Sequence, residues 1–480
     1  MGIMRRRTFL ASTAAAALAG RVPLAVAADP AAEDALACAE ALLRPAPLVL
    51  SPSQNALPLL IEAGRLLTDD EPDGDFVAED CFNPVRPDAE RDRAVAAWIE
   101  ANRRSLDLVE AAVGRAGLEY PHEPWADERL KTMMRLRALA RLLAYQGQRL
   151  MWQRDFASAA RTSLALERAS RLLLGGGGVV VEHIVGSASN GTACSLIQRI
   201  SQHPGADAPT LRTMLAGLAA GAGALAGMRK AIRAEYSFYI VPELERLKDA
   251  DTRTILESLA PWDENLAFMV PRSEYDLRLE KLSQLFCGHP NAFDAEDTRR
   301  RAVAQYATWI HELDLSWAAH QARPDPAPTA ELAAWPEQLA TSLFGNGKAG
   351  ELSETELATA RKRLRCVDNP IGKQFLEQTL LESKALHRSA LAAEAQHAGT
   401  RLLLATRAYK LERGELPPTL ESLVEATILE ALPMDPFTDK PFRYSREERA
   451  IWSVGPDGDV SPDASPDDVV YADSLIWRLE

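Results

Sequence analysis

Six aspartates crowd the end of this 480-residue chain: Asp457, Asp459, Asp463, Asp467, Asp468 and Asp473. No Lys, Arg or His accompanies them between Ala450 and Trp477. Carboxylates at such density repel one another unless a cation neutralises them, and Ca2+ takes a large shell of oxygen ligands. Asp457, Asp459, Ser461, Asp463, Ser465 and Asp468 even fall on the ligand spacing of an EF-hand loop. Pro462 occupies the place where that loop needs Gly, and the flanks read as strands, so the EF-hand is rejected. The run therefore reads either as a calcium site or as a solvated acidic loop that holds nothing.

Other chemistry is sparser. The eight histidines are spread singly. His311-Glu312 begins like a zinc-protease helix motif, but residue 315 is Leu instead of the second His. Gly186-Ser187-Ala188-Ser189-Asn190-Gly191 lacks the glycine spacing of a nucleophile elbow. The Gly175–Gly178 run is followed by no Lys-Ser or Lys-Thr and reads as an interhelix turn, not a phosphate loop. His183 and His203 read as surface or satisfied core residues. Carboxylates are plentiful, and all-helical glycosidases work with a pair of them, but acids that meet only in three dimensions are not paired by sequence. No catalytic or cofactor-binding residue is assigned.

The elements that must position the acidic run are mainly helical. Ala and Leu abound while aromatics make up only 6%, a bias towards helices over a β-rich architecture. Leu136, Leu139, Ala140 and Leu143 recur at helical spacing, a polar break falls at Gln153-Arg154-Asp155, and Phe156, Ala160 and Leu164 share a face of the next helix. This pair resembles a tetratricopeptide-type hairpin, with Gly147 and Ala159 as the small residues where its helices touch. No clean repeat period follows. Arg323–Pro328 reads as an exposed linker or surface loop.

Asn369-Pro370 is a helix start, with Asn as N-cap and Pro in the first turn, and Gly414 is a left-handed stop. Between them Leu391, Ala395, Ala398, Leu402, Ala405 and Tyr409 make one apolar seam, with Gly399 a candidate bend. A short helix is expected over 421–426. Short strands with turns between them are expected in the runs Phe442-Arg443-Tyr444, Ile451–Gly458 and Ile476-Trp477.

The order of these motifs resembles the C-terminal domain of the major pseudopilin of type II secretion systems. Tyr409, Gly414, Pro417, Leu432, Pro433, Asp435, Pro436, Tyr444, Ser453, Gly455, Asp457 and Gly458 occupy the family's motif positions, over about 85 residues of the chain. The resemblance implies a small α+β domain and a calcium site in the loop after the Ser-x-Gly-x-Asp-Gly turn. It departs from the family in the charged residues Glu377, Glu382, Lys384 and Arg388 of its preceding helix and in its N-terminus. Assembly into a pseudopilus is therefore not expected.

At the N-terminus Arg6-Arg7-Thr8-Phe9-Leu10 resembles a twin-arginine signal, followed by a mildly apolar Ala-rich stretch and a small-residue cleavage site at Ala25-Val26-Ala27. Its removal takes away four arginines and no acid, leaving a chain four units more negative than the formal charge of −14. Such a surface repels nucleic acid and anionic lipid. No later apolar run is long enough to span a bilayer. The five cysteines, Cys38, Cys81, Cys194, Cys287 and Cys366, show no metal spacing; export permits a disulfide, but nothing selects a pair, and buried free thiols are expected.

The expected architecture is thus a signal peptide over 1–27, a mainly α domain of helical hairpins over 28–368, and a long helix with a small α+β pseudopilin-like domain over 369–480. The expected role is an exported, non-catalytic binding or scaffold protein, periplasmic or extracellular, with calcium at the aspartates and an unidentified protein partner. A hydrolase with a carboxylate pair in a helical groove is the alternative.

Overall fold

The computed structural model of the protein describes residues 30–68, 89–124, 127–218, 221, 223–259, 272–323, 352–379, 383–458 and 475–479. Among the described residues the order begins with α1 (Pro30–Leu42), α2 (Leu57–Arg65), α3 (Ala89–Ala101) and α4 (Arg103–Val113). α5 (Asp127–Trp152) and α6 (Phe156–Gly175) then form a hairpin across residues 153–155. Leu136, Leu139, Ala140 and Leu143 are all buried, so the apolar spacing read from the sequence is the inner face of α5. Asp155 caps α6 by accepting a hydrogen bond from the Ser158 amide at 3.0 Å.

α7 (Val180–Gln202) follows the glycine turn, in which Gly177 has φ +73°. The close neighbour of Gly147 is not the other arm of the α5–α6 hairpin. A Cβ there would lie 2.6 Å from Leu196 of α7, so the small residue admits a third helix. The chain continues through α8 (Ala208–Gly217), α9 (Ala224–Glu235), a π turn at Tyr236–Ile240 and α10 (Val241–Leu247). α11 (Thr252–Leu259), α12 (Arg272–Phe286), α13 (Ala295–Glu312), the short α14 (Trp317–Gln321) and α15 (Glu354–Leu364) complete this part.

Asn369 starts α16 (Pro370–Thr379) as the sequence suggests. Its Oδ1 accepts from the Gly372 amide at 3.1 Å, and its φ of +51° is a left-handed conformation that Asn tolerates. α17 (Ser383–Arg413) ends at Gly414, with φ +82°. Helix α17 runs through Gly399 without interruption. The glycine serves a close approach instead: a Cβ would fall 2.2 Å from the Trp477 ring.

Beyond α17 lie α18 (Ser422–Glu425) and five short strands. β1 (Met434–Asp435) and β2 (Lys440–Pro441) form an antiparallel pair, with Met434 opposite Pro441. β3 (Arg443–Ser445), β4 (Ala450–Trp452) and β5 (Ile476–Arg478) form an antiparallel sheet in the order β3-β4-β5, with Tyr444 opposite Ile451 and Ile451 opposite Trp477. The protein is mainly helical with short antiparallel strands near its C-terminus.

Apolar burial is organised around three cores. One joins α9, α12, α13 and α16, and a second joins α2, α4, α5 and α6. The third crosses from the helices into the C-terminal unit: Ile197, Leu211 and Trp317 share it with Leu402, Leu423, Phe437, Ile451 and Trp477. Polar ties follow the same seam. Arg212 of α8 pairs with Glu412 at 2.8 Å, and Gln202 of α7 donates to the Arg478 carbonyl at 2.9 Å. The strands therefore fold onto the helical body, with Trp317 and Trp477 in one shared core.

Among the described residues no helix is long and apolar enough to cross a membrane. Buried thiols were the wrong expectation for three of the four described cysteines. Cys38, Cys287 and Cys366 are exposed, and only Cys194 is buried. All four are free. Cys38 lies on α1, and Cys287 and Cys366 sit just past the ends of α12 and α15.

Candidate functional site

The acidic run leaves the C-terminal unit from a tightly built corner. Asp435 is buried at the end of β1, where its Oδ1 accepts from the Phe437 amide and the Ser453 hydroxyl, each at 3.0 Å. Its Oδ2 accepts from the Val454 amide, also at 3.0 Å. Burial raises its pKa above the ordinary carboxylate value, against the opposing effect of these hydrogen bonds. Gly455 and Gly458 have φ of +72° and +80°, a turn conformation that disfavours larger side chains. The Leu-Pro-x-Asp-Pro and Ser-x-Gly-x-Asp-Gly motifs thus meet: the aspartate of the first organises the turn of the second. Tyr444 closes the same unit by donating from its hydroxyl to the Pro417 carbonyl at 2.7 Å.

Both ends of the run are fixed. The Ser453 amide donates to the Leu475 carbonyl at 3.0 Å, holding β4 to the returning chain. The Pro456 carbonyl accepts from Trp317 Nε1 at 2.7 Å and from Gln321 Nε2 at 3.0 Å, both on α14. Asp457 follows directly and is exposed. Asp459, Asp463, Asp467, Asp468 and Asp473 lie outside the described residues. Among the described residues no group of three or more His, Cys, Asp or Glu is arranged to hold a metal ion.

Directly behind α14 the fold brings together residues that the sequence left scattered. His320 of α14 and His387 of α17 face each other with their Nδ1 atoms 2.7 Å apart, and each ring is 1% exposed. The far nitrogen of His320 lies 3.4 Å from the Ser383 hydroxyl and 3.7 Å from a Glu312 carboxylate oxygen. The edge of Trp317 packs against the His387 ring, with centroids 5.6 Å apart, and against Phe437. Burial is the main cause lowering both imidazoles, His387 to about 4, with His320 and Arg229 adding to the effect on His387. The sequence shows two single histidines 67 residues apart. No local signal could have paired them.

A second buried polar group lies where α6, α7 and α17 pack together. His397 Nδ1 is 3.7 Å from Glu167 Oε1, and Arg171 reaches the same carboxylate at 3.2 Å. Burial raises the Glu167 pKa and lifts the nearby Cys194 thiol to about 12, far from a reactive thiolate. His183, also fully enclosed, has its Nδ1 3.2 Å from the Leu174 carbonyl, while His203 accepts from the Gly205 amide at 3.0 Å. A carbonyl only accepts, so the His183 hydrogen sits on Nδ1.

No protein-family model, curated protein or solved structure matches the chain.

Proposed function

We propose that the protein is an exported, non-catalytic binding or scaffold protein, periplasmic or extracellular, whose pseudopilin-like C-terminal unit presents a calcium-binding acidic segment to a protein partner. The observation that carries this reading is the anchoring of that segment. Pro456 is held by Trp317 and Gln321 on one side, and the Leu475 carbonyl by the Ser453 amide on the other. Between these anchors the sequence supplies all six aspartates and no basic side chain. Fixing both ends lowers the ordering entropy that a cation would otherwise have to overcome.

The buried polar groups support binding over catalysis. His320, His387, His397 and Glu167 are at most 1% exposed, so none of them presents a reactive atom to solvent in this fold. The acidic charge disfavours nucleic acid as the partner. Export rests on Arg6-Arg7-Thr8-Phe9-Leu10 and the Ala25-Val26-Ala27 cleavage pattern.

Cell fractionation tests the location. The expected product is extracytoplasmic and starts at Ala28, and replacing Arg6 and Arg7 together by Lys traps the uncleaved chain in the cytoplasm. An unprocessed chain that stays in the cytoplasm with both arginines intact would overturn the reading.

A further inference from the structure

We propose that His320 and His387 form an acid-opened latch, which holds the turn at Pro456 onto the helical body near neutral pH and releases it when the medium turns acid. The inference stands on the His pair and does not depend on export or calcium.

The geometry limits the pair to one shared hydrogen. Two Nδ1 atoms 2.7 Å apart have room for a single N–H between them. His320 Nε2 faces a carboxylate and a hydroxyl, so its own hydrogen belongs on that side, pointing to Glu312 and Ser383. His387 then donates from Nδ1 to the bare Nδ1 of His320. Both rings are neutral in this arrangement.

Acid has two places to add a proton, and neither suits the closed state. A proton on His320 Nδ1 sets two N–H groups head to head unless the His387 hydrogen moves to its own Nε2. That move keeps one shared hydrogen and leaves a buried cation on His320 beside Glu312. A proton on His387 Nε2 keeps the bond but creates a buried cation against the Trp317 ring. The surrounding charges act mostly in the same direction. Arg229 of α9 disfavours a cation on His387, and Lys384 of α17 and Arg323 beyond α14 disfavour one on His320. Glu312 of α13 favours charge on His320, but Arg323 already holds that carboxylate at 3.0 Å. Asp314 is likewise occupied, by Arg229 at 2.8 Å.

The consequence reaches the acidic turn through one short helix. α14 carries His320 on the latch and Trp317 and Gln321 on the Pro456 carbonyl. With five residues, it is held by these contacts together with its Ser316 cap and the packing of Trp317 against Phe437 and His387. Separation of the two rings therefore frees the indole and the carbonyl together. Protonation of paired histidines that biases a small movable element is an established kind of pH switch.

The test is made on residues 28–480 labelled with 5-fluorotryptophan, with the Trp317 fluorine signal assigned from Trp317→Phe. As the pH is lowered from 7.5 to 4.5, the Trp317 signal is expected to move to a solvent-exposed position while the far-ultraviolet circular dichroism is unchanged. His387→Gln and His320→Gln, which do not titrate, are expected to abolish that transition. Imidazole nitrogen-15 shifts of the unmutated protein report the same event and keep the test alive if either variant fails to fold. A Trp317 signal constant down to pH 4.5, the same transition in both variants, or a Trp317 transition while both rings stay neutral would each overturn the latch.

Discussion

The indole of Trp477 lies directly over the bare α-carbon of Gly399, so that its ring atoms come within 2.2–2.4 Å of where a Cβ would be. Trp477 is 1% exposed and belongs to β5, while Gly399 lies inside α17. One missing methyl group thus lets the small sheet seat on the long helix.

Gly399→Ala tests that contact. Alanine favours a helix interior by about 1 kcal/mol over glycine. Overpacking here works against it, because neither the helix backbone nor the enclosed indole yields easily, and overpacking costs about 1–3 kcal/mol. A net destabilisation of up to about 2 kcal/mol is expected in urea unfolding. A stabilised variant would show that the indole shifts freely.

Asp435→Asn probes the corner that launches the acidic run. An amide retains one acceptor, but its NH2 opposes the Val454 N–H that Oδ2 now accepts, at a cost of about 1–3 kcal/mol near neutral pH. The carboxyl pKa is raised by burial, so the folded state holds this proton more tightly than the unfolded chain. This contribution to stability is greatest in acid and falls as pH rises through the folded pKa. The variant is expected to lose that part of the pH profile, read as the unfolding midpoint against pH.

His183 gives the opposite slope. Burial pushes it down to about 4 from an ordinary value of 6.5, so the unfolded chain takes up the proton first. Its contribution is complete above about pH 6.5 and is lost as the pH falls towards 4, by about 3 kcal/mol in all. His183→Gln is expected to flatten chemical-denaturation stability between those limits, with an unchanged slope counting against the buried neutral imidazole.

Local signals in the sequence were those that one element suffices to write. Leu136, Leu139, Ala140 and Leu143 marked the inner face of α5, and Asn369 and Gly414 marked a helix start and a helix stop through their own backbone chemistry. The strands around Tyr444, Ile451 and Trp477 were legible because β-formers alternate with turn residues. β1 and β2 were not, since a ladder of two residues carries no periodicity. Gly399 was read as a bend because its partner, Trp477, is distant in sequence. The same holds for His320 and His387, whose pairing depends on how α14 packs against α17. Of the six aspartates, the structure places Asp457, exposed at the mouth of the anchored turn.

The most direct test of the proposed function is thermal unfolding of residues 28–480 with calcium and with a chelator. A ligand that binds only the folded protein raises its midpoint according to concentration and affinity. Calcium is expected to raise the midpoint of the unmutated protein and to have no effect once Asp457 and Asp459 are both replaced by Ala. Identical midpoints in calcium and chelator would contradict a calcium-organised acidic segment.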